Sequence, residues 1–229
     1  MALNSLSQDI AAHLNAEGLR PTSGWLTSFL QSIDPNRPVA ALRSTARFRV
    51  LASDITESIQ SSSSNLFPLD ISNGNIKEQR LPGPLLVQIL DIEDIGHSRW
   101  SQVEEIEATE RGETTKGREV IRVIPSDDGG ADTQTPAHVS SGPHKLVLQD
   151  AHGQQAYGIE LSTVEGLNLN MNIGTKVLLK DVVVARGVLL LEPRNVQQLG
   201  GKIDRLHKSW REGRKERLKA AAGMVDREQ

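Results

Sequence analysis

The side chains that carry chemistry in proteins are scattered along these 229 residues rather than gathered. Six histidines stand at His13, His97, His138, His144, His152 and His207, and none forms an HExxH or a comparable ligand pair. There is no cysteine, which excludes disulfides, thiolate nucleophiles and cysteine-ligated zinc. Neither a GxxxxGKS/T phosphate loop nor a GxSxG nucleophile elbow is present. Gly200-Gly201 lacks the spacing of a dinucleotide fingerprint and reads as a helix start. Glu104, Glu105 and Glu107 offer paired carboxylates, but nothing in the sequence orients them, and a solvated helix face or loop accounts for them. The expectation is a non-enzymatic chain with no catalytic residue, no metal, no cofactor and no small-molecule ligand.

Two runs have the composition of binding elements. TKGREVIRVIP (115–125) alternates apolar and basic residues as a short strand does, in an otherwise polar stretch. Its Val120, Ile121, Val123 and Ile124 need burial, either against their own domain or against a partner. The second run lies near the end, where Arg205, Lys208, Arg211, Arg214, Lys215, Arg217 and Lys219 form the basic face of a helix whose apolar stripe is Ile203, Leu206 and Trp210. Three readings stay open for it: weak phosphate contact through Arg211, Arg214, Lys215 and Arg217, a nuclear-import signal in GRKER (213–217), or a solvated face interspersed with Glu212 and Glu216. The formal charge of −3 and the 3% aromatic content argue against a free-standing nucleic-acid binder, which is usually basic and stacks bases on aromatic rings.

The elements that must position these runs divide the chain in two. Residues 1–60 read as three short amphipathic helices forming a bundle. Leu3, Leu6, Ile10 and Leu14 make the first stripe, and Gly18 stops it. Thr22 caps a second helix carrying Trp25, Leu26, Phe29, Leu30 and Ile33, and Pro38 opens a third carrying Val39, Leu42, Phe48, Leu51 and Ile55. Residues 61–80, with their serine run, read as a linker. From 81 to 222 the pattern is β: 84–92, 144–150, 155–161, 174–185 and 187–193 are five strand candidates, followed by a closing helix at 201–222. Five strands with a connecting segment after the third match an OB-type Greek-key barrel, so the predicted class is α+β; a generic small β-sandwich is the alternative. About fifty residues separate the first two strands, well beyond ordinary loop length. The first half of that insertion is acidic, with Glu93, Asp94, Glu104, Glu105, Glu107, Glu110 and Glu113; the last part, 126–142, is Gly/Ser/Asp-rich and reads as mobile reach. No apolar run approaches the ~20 residues of a membrane helix, and MALNSLSQDIAAHL has no secretory-signal pattern. A soluble intracellular chain is expected.

The segment 174–204 resembles the signature of a known family. Gly174-Thr175-Lys176, Gly187 ahead of Leu189-Leu190-Leu191, Asn195 and Leu199-Gly200-Gly201 follow the pattern of the first subunit of the RecQ-mediated genome instability family and its tudor-domain relatives. The stretch LVQILDIEDIGHSRWSQVEEI (86–106) is similar to that family's first strand and its continuation. The resemblance implies an OB-fold partner of topoisomerase III and a RecQ helicase, in the compact single-barrel form found in fungi. It implies a nuclear protein acting in double Holliday junction dissolution, with DNA contacted mainly through the complex and weakly by the chain alone. It places the insertion, 107–143, at the topoisomerase gate. Val120, Ile121, Val123 and Ile124 then become candidate anchors, and Lys116, Arg118 and Arg122 candidate partners for acidic groups or phosphate. Lys176, matching the family's GTK, is a further candidate contact. The alternative reading is a stand-alone OB module for single-stranded DNA.

Overall fold

The computed structural model describes residues 2–34, 36–62, 65–116, 119–122 and 142–223. Helices α1 (Ala2–Ala16), α2 (Ser23–Gln31) and α3 (Val39–Ala52) form the N-terminal bundle. Gly18, at φ +80°, ends the first helical segment as expected, with its N–H donated to Asn15 and that of Leu19 to Leu14. The Thr22 hydroxyl accepts from Trp25 N–H, so the predicted cap of α2 is in place. The third helix stops three residues short of Ile55. Asp54 caps a separate turn, α4 (Ile55–Ser58), by accepting from Thr56 N–H. Phe48, placed in the apolar stripe by spacing, is 73% exposed, because α3 buries the Leu42, Ala46, Val50 face instead.

The barrel has eight strands where the sequence pattern suggested five. They are β1 (Glu78–Leu81), β2 (Leu85–Asp94), β5 (His144–Gln149), β6 (Gln155–Glu160), β7 (Lys176–Leu179), β8 (Val182–Ala185), β9 (Val188–Leu191) and β10 (Val196–Gly200). Their order is β1-β8-β9-β6-β5-β2-β7-β10, with β6 and β9 parallel and the other neighbours antiparallel. Two causes explain the difference. The expected fourth strand is broken at Asp181, whose φ is +49° and whose N–H is taken by Pro82 C=O, so it becomes β7 and β8. The edge strands β1 (EQRL) and β10 (VQQLG) are too polar to show an apolar alternation. Residues 61–80, read as a linker, include Phe67 and Ile71 of the barrel core and the start of β1. The fully buried Asp150 carboxylate holds that segment by accepting from Phe67 N–H, while also closing the 150–154 turn through His152 and Gln154 N–H.

Inside the barrel, Val87, Ile89, Leu146, Leu148, Leu189 and Leu191 form the centre of the core. Leu86 of β2 and Leu178 of β7 point outward, and the bundle covers them. Leu86 and its register partner Leu178 pack with Ile10, Leu14, Leu42 and Val50. In the same seam the fully buried Gln88 side chain accepts from Ile55 N–H and donates to Asp54 and Gln149. Gly201, at φ +100°, lets the chain pass so close to α3 that an added Cβ would lie 2.3 Å from the Leu51 carbonyl oxygen. The Gly200-Gly201 pair is therefore a strand end and a close crossing. The closing helix α6 (Asp204–Ala221) starts after it and lays Trp210 into the barrel core.

Candidate partner interface

The insertion leaves and re-enters the barrel at one point. Asp94, at the end of β2, is the register partner of His144, at the start of β5, and Ile95 N–H continues the ladder to Pro143 C=O. Buried carboxylates secure both stems. Asp94 Oδ1 accepts from Gly96 and His97 N–H at 2.7 and 3.2 Å. On the returning stem, Glu160 Oε2 accepts from His144 N–H and lies 2.6 Å from His144 Nδ1, while Glu160 Oε1 accepts from Val164 N–H. A carboxylate that spends its lone pairs on backbone donors fixes the chain around it.

From this root the acidic half of the insertion forms a helix, α5 (Arg99–Glu110), where the sequence left helix and loop both open. Ser98 caps it by accepting from Ser101 N–H. Gln102 and Val103 are its buried residues, and the Gln102 amide donates to the carbonyls of Asp94 and His97, tying the helix to its own stem. After α5 the chain forms a hairpin of β3 (Glu113–Lys116) and β4 (Glu119–Arg122), with Glu113 opposite Arg122 and Lys116 opposite Glu119. The single short strand expected within 115–125 is instead divided: Thr115 and Lys116 end β3, 119–122 form β4, and 123–125 lie outside the described residues.

The basic face of α6 meets the acidic face of α5. Lys215 lies 2.6 Å from Glu110 and 3.4 Å from Glu107, and Lys219 lies 3.0 Å from Glu107. Hydrogen bonding from Lys219, with Lys215 behind it, holds the Glu107 carboxyl below its ordinary pKa. Hydrogen bonding to Glu110 raises Lys215 above its own. Arg214 stacks over the Trp210 ring and donates to Gln102 Oε1, and its burial lowers its pKa. The Trp210 indole N–H donates to Asp91 Oδ1 at 2.6 Å, fixing α6 to β2. Beneath the crossing lies a groove of about 240 Å³ lined by Asp91, Glu93, Arg99, Lys145 and Arg217 among others. Burial pushes the Glu93 carboxyl up, but Lys145 and Arg99 beside it outweigh this and hold it below its ordinary value.

The sequence-selected residues fall into three groups. Lys116, Val120, Ile121 and Arg122 come together in the hairpin; Arg118, Val123 and Ile124 lie outside the described residues, as does 126–141 of the Gly/Ser-rich run. Of the four basic residues of α6 proposed for phosphate contact, Arg214 and Lys215 are engaged inside the molecule, Arg217 donates to the Trp210 carbonyl, and Arg211 is exposed. Lys176 is only 1% exposed: it points to the bundle alongside Leu178, donates to Gly174 C=O at 2.8 Å, and burial lowers its pKa to about 8. Its ammonium is not displayed to a partner. The residues that root and brace the insertion, Asp94, Gln102, His144, Glu160 and Trp210, were not among the sequence candidates. A signal for the brace was present in the spacing, because Glu107 and Glu110 share one helical face, as do Lys215 and Lys219. Among the described residues there is no cluster able to hold a metal ion, and no helix is long and apolar enough to cross a membrane.

Both halves of this architecture match known families. The model described as RMI1, N-terminal OB-fold domain, covers residues 67–214, and that described as RMI1, N-terminal helical domain, covers 14–58. RecQ-mediated genome instability protein 1 of Schizosaccharomyces pombe is 30% identical over 215 residues, which is 88% of this chain and 90% of that protein. The chain belongs to the RecQ-mediated genome instability protein 1 family. The family relative of Mus musculus is 32% identical over 145 residues, spanning 62% of this chain but 21% of the mouse protein. Tudor domain-containing protein 3 of Danio rerio is 28% identical over 147 residues, 64% of this chain and 15% of that protein. Membership in this family agrees with the α+β class and with the OB barrel over a generic sandwich.

Proposed function

We propose that this chain is a non-enzymatic scaffold and regulatory subunit of a topoisomerase III–RecQ helicase complex, acting in the nucleus. It promotes double Holliday junction dissolution and decatenation by presenting its insertion at the topoisomerase gate. The observation that carries this reading is the build of the insertion: a 12-residue helix and a hairpin, rooted at the Asp94–His144 pair and braced by α6, on a chain that matches its family over nearly its whole length. An ornamental loop needs no such footing. A gate that opens and closes is a two-state element, and a protein that binds one state better shifts the balance by its differential affinity alone. A rooted insertion spends less ordering entropy on that contact than a loose one.

The stand-alone single-strand binder is the second reading, and two observations count against it. The outward faces of β5 and β6, where OB barrels stack bases, carry Tyr157 as their only aromatic residue, and Lys145 there is paired with Glu93. The basic helix spends Lys215 and Lys219 on α5. The test replaces 113–141 with a short Gly/Ser turn in the full chain. The barrel stays folded and still binds topoisomerase III, but stimulation of decatenation is lost. Unchanged stimulation sinks the gate reading. Tight single-strand binding by the chain, with no topoisomerase contact in a pull-down at moderate salt, favours the second reading.

A further inference from the structure

The bundle meets the barrel through aliphatic side chains, with Ile10, Leu14, Leu42 and Val50 packed on Leu86 and Leu178. Its aromatic residues gather between α2 and α3. Trp25 and Phe29, one turn apart on α2, stack with ring centroids 5.4 Å apart and planes 5° from parallel. Arg49 reaches across from α3. Its guanidinium lies 5.5 Å from the centre of the Phe29 ring and donates to Ser32 Oγ at 2.5 Å. With Ser28 these residues line an open groove of about 220 Å³, formed by the bundle alone. Phe48, next to Arg49 in the chain, is exposed to solvent.

Charge sets this groove apart from the rest of the bundle. Of the three arginines of α3, Arg43 pairs with Asp9 of α1 and Arg47 with Glu17 just past its end. Arg49 pairs with no carboxylate among the described residues. Asp34, two residues past Ser32, accepts from Asn36 N–H instead. A guanidinium has five N–H donors, and among the described residues only the bond to Ser32 uses one of them. Helix α2, SGWLTSFLQ, carries no charge, and its exposed positions are Ser23, Gly24, Thr27, Ser28 and Gln31. Small uncharged side chains leave room for another chain to approach and bring no carboxylate to Arg49.

These features select the occupant. The groove is smaller than the ~300 Å³ at which pockets for small molecules begin, and its size suits one large apolar side chain of a bigger partner. Trp and Arg are the residues enriched at the energetic centres of protein interfaces. A carboxylate is the group that an arginine fixed over a ring takes in bidentate geometry. Nucleic acid is not selected. In residues 1–60 five arginines are balanced by five carboxylates, lysine is absent, and one free guanidinium does not neutralise a run of phosphates. A second copy paired through the same face brings Arg49 against Arg49.

We infer that the α2–α3 groove is a docking site for a peptide segment of a protein partner in which one large apolar side chain stands next to an aspartate or glutamate. The apolar side chain enters over Trp25 and Phe29, and the carboxylate pairs with Arg49. The bundle is then a second binding element, separate from the insertion, as well as the cover of β2 and β7.

The test pans a phage-displayed library of random short peptides on the full-length chain and measures the enriched peptides by fluorescence polarisation. They should share Asp or Glu beside Leu, Phe or Trp. Arg49→Glu should weaken them at least about ten-fold, and panning on that variant should enrich Lys or Arg instead. Ser28→Trp fills the groove and should weaken them by a similar factor, while the Gly/Ser replacement of 113–141 leaves them bound. Both substituted positions are exposed. Circular dichroism checks each variant, and if one misfolds the other carries the test. Failure to enrich acidic, apolar peptides overturns the inference, as does binding that survives both substitutions or is lost with the insertion. Loss with Arg49→Glu but not with a folded Ser28→Trp also overturns it, since the peptide then binds outside the groove. Variants that change only self-association in sedimentation, or only binding of single-stranded DNA, overturn it in favour of those occupants.

Discussion

Two helical elements lie against the outside of this barrel, and they are held by different physics. The N-terminal bundle meets β2 and β7 through buried leucines, a fully buried glutamine and the close crossing at Gly201. The α5–α6 crossing is held over much of its length by ion pairs whose partners keep roughly a quarter to a half of their side-chain surface exposed. Exposed pairs contribute little and are screened by salt. The bundle is therefore a permanent part of the barrel, while α5 rests on a contact that a partner can outcompete. The insertion stays attached at its root through Asp94, His144 and Glu160 whether or not the α6 contact persists.

The largest test of that contrast is Leu86→Ala, which opens a cavity in the bundle–barrel seam. It should cost about 2–5 kcal/mol in urea unfolding. A loss below 1 kcal/mol would mean that the seam is no firmer than a surface contact. Lys176 gives an intermediate effect. Its folded pKa of about 8 lies below the ordinary 10.5, so the folded state binds this proton less well than the unfolded state. The burial cost is fully present below pH 8 and is relieved as pH rises from 8 towards 10.5. Stability of the parent relative to Lys176→Met should therefore rise across that window, as read from thermal midpoints of the two proteins. A flat difference would show that the amine is not buried under the bundle. The smallest effect belongs to the Lys215→Glu/Lys219→Glu pair. The global midpoint should hold while amide exchange across α5 quickens, and the parent in high salt should resemble the variant. Co-operative loss of the whole fold would place the α5–α6 crossing on the same footing as the seam.

Legibility in the sequence followed the strength of local signals. The cap at Thr22, the stop at Gly18 and the strands 84–92, 144–150 and 155–161 could be read because their residues are decided by neighbours a few positions away. The β character of 115–125 was legible for the same reason, but its division into two paired strands was not, since ETTK has no apolar alternation and is a strand only because 119–122 lies beside it. The break of the fourth strand at Asp181 was hidden inside a continuous apolar run. Lys176 shows the limit for site residues: a lysine at a strand start reads as exposed, and only the bundle laid over β7 buries it.

The sequence by itself determined the division into bundle and barrel, the absence of catalytic motifs, the place of the insertion between the first two long strands, and the family signature in 174–204. Those are properties of residue order and periodicity. The tertiary structure alone decided that the acidic helix and the basic helix neutralise each other, that Asp94 and His144 form one root, and that the bundle covers Leu178 and Lys176 of β7. These facts join residues fifty to more than a hundred positions apart, and such pairings are set by how the sheet curls, which no local pattern encodes.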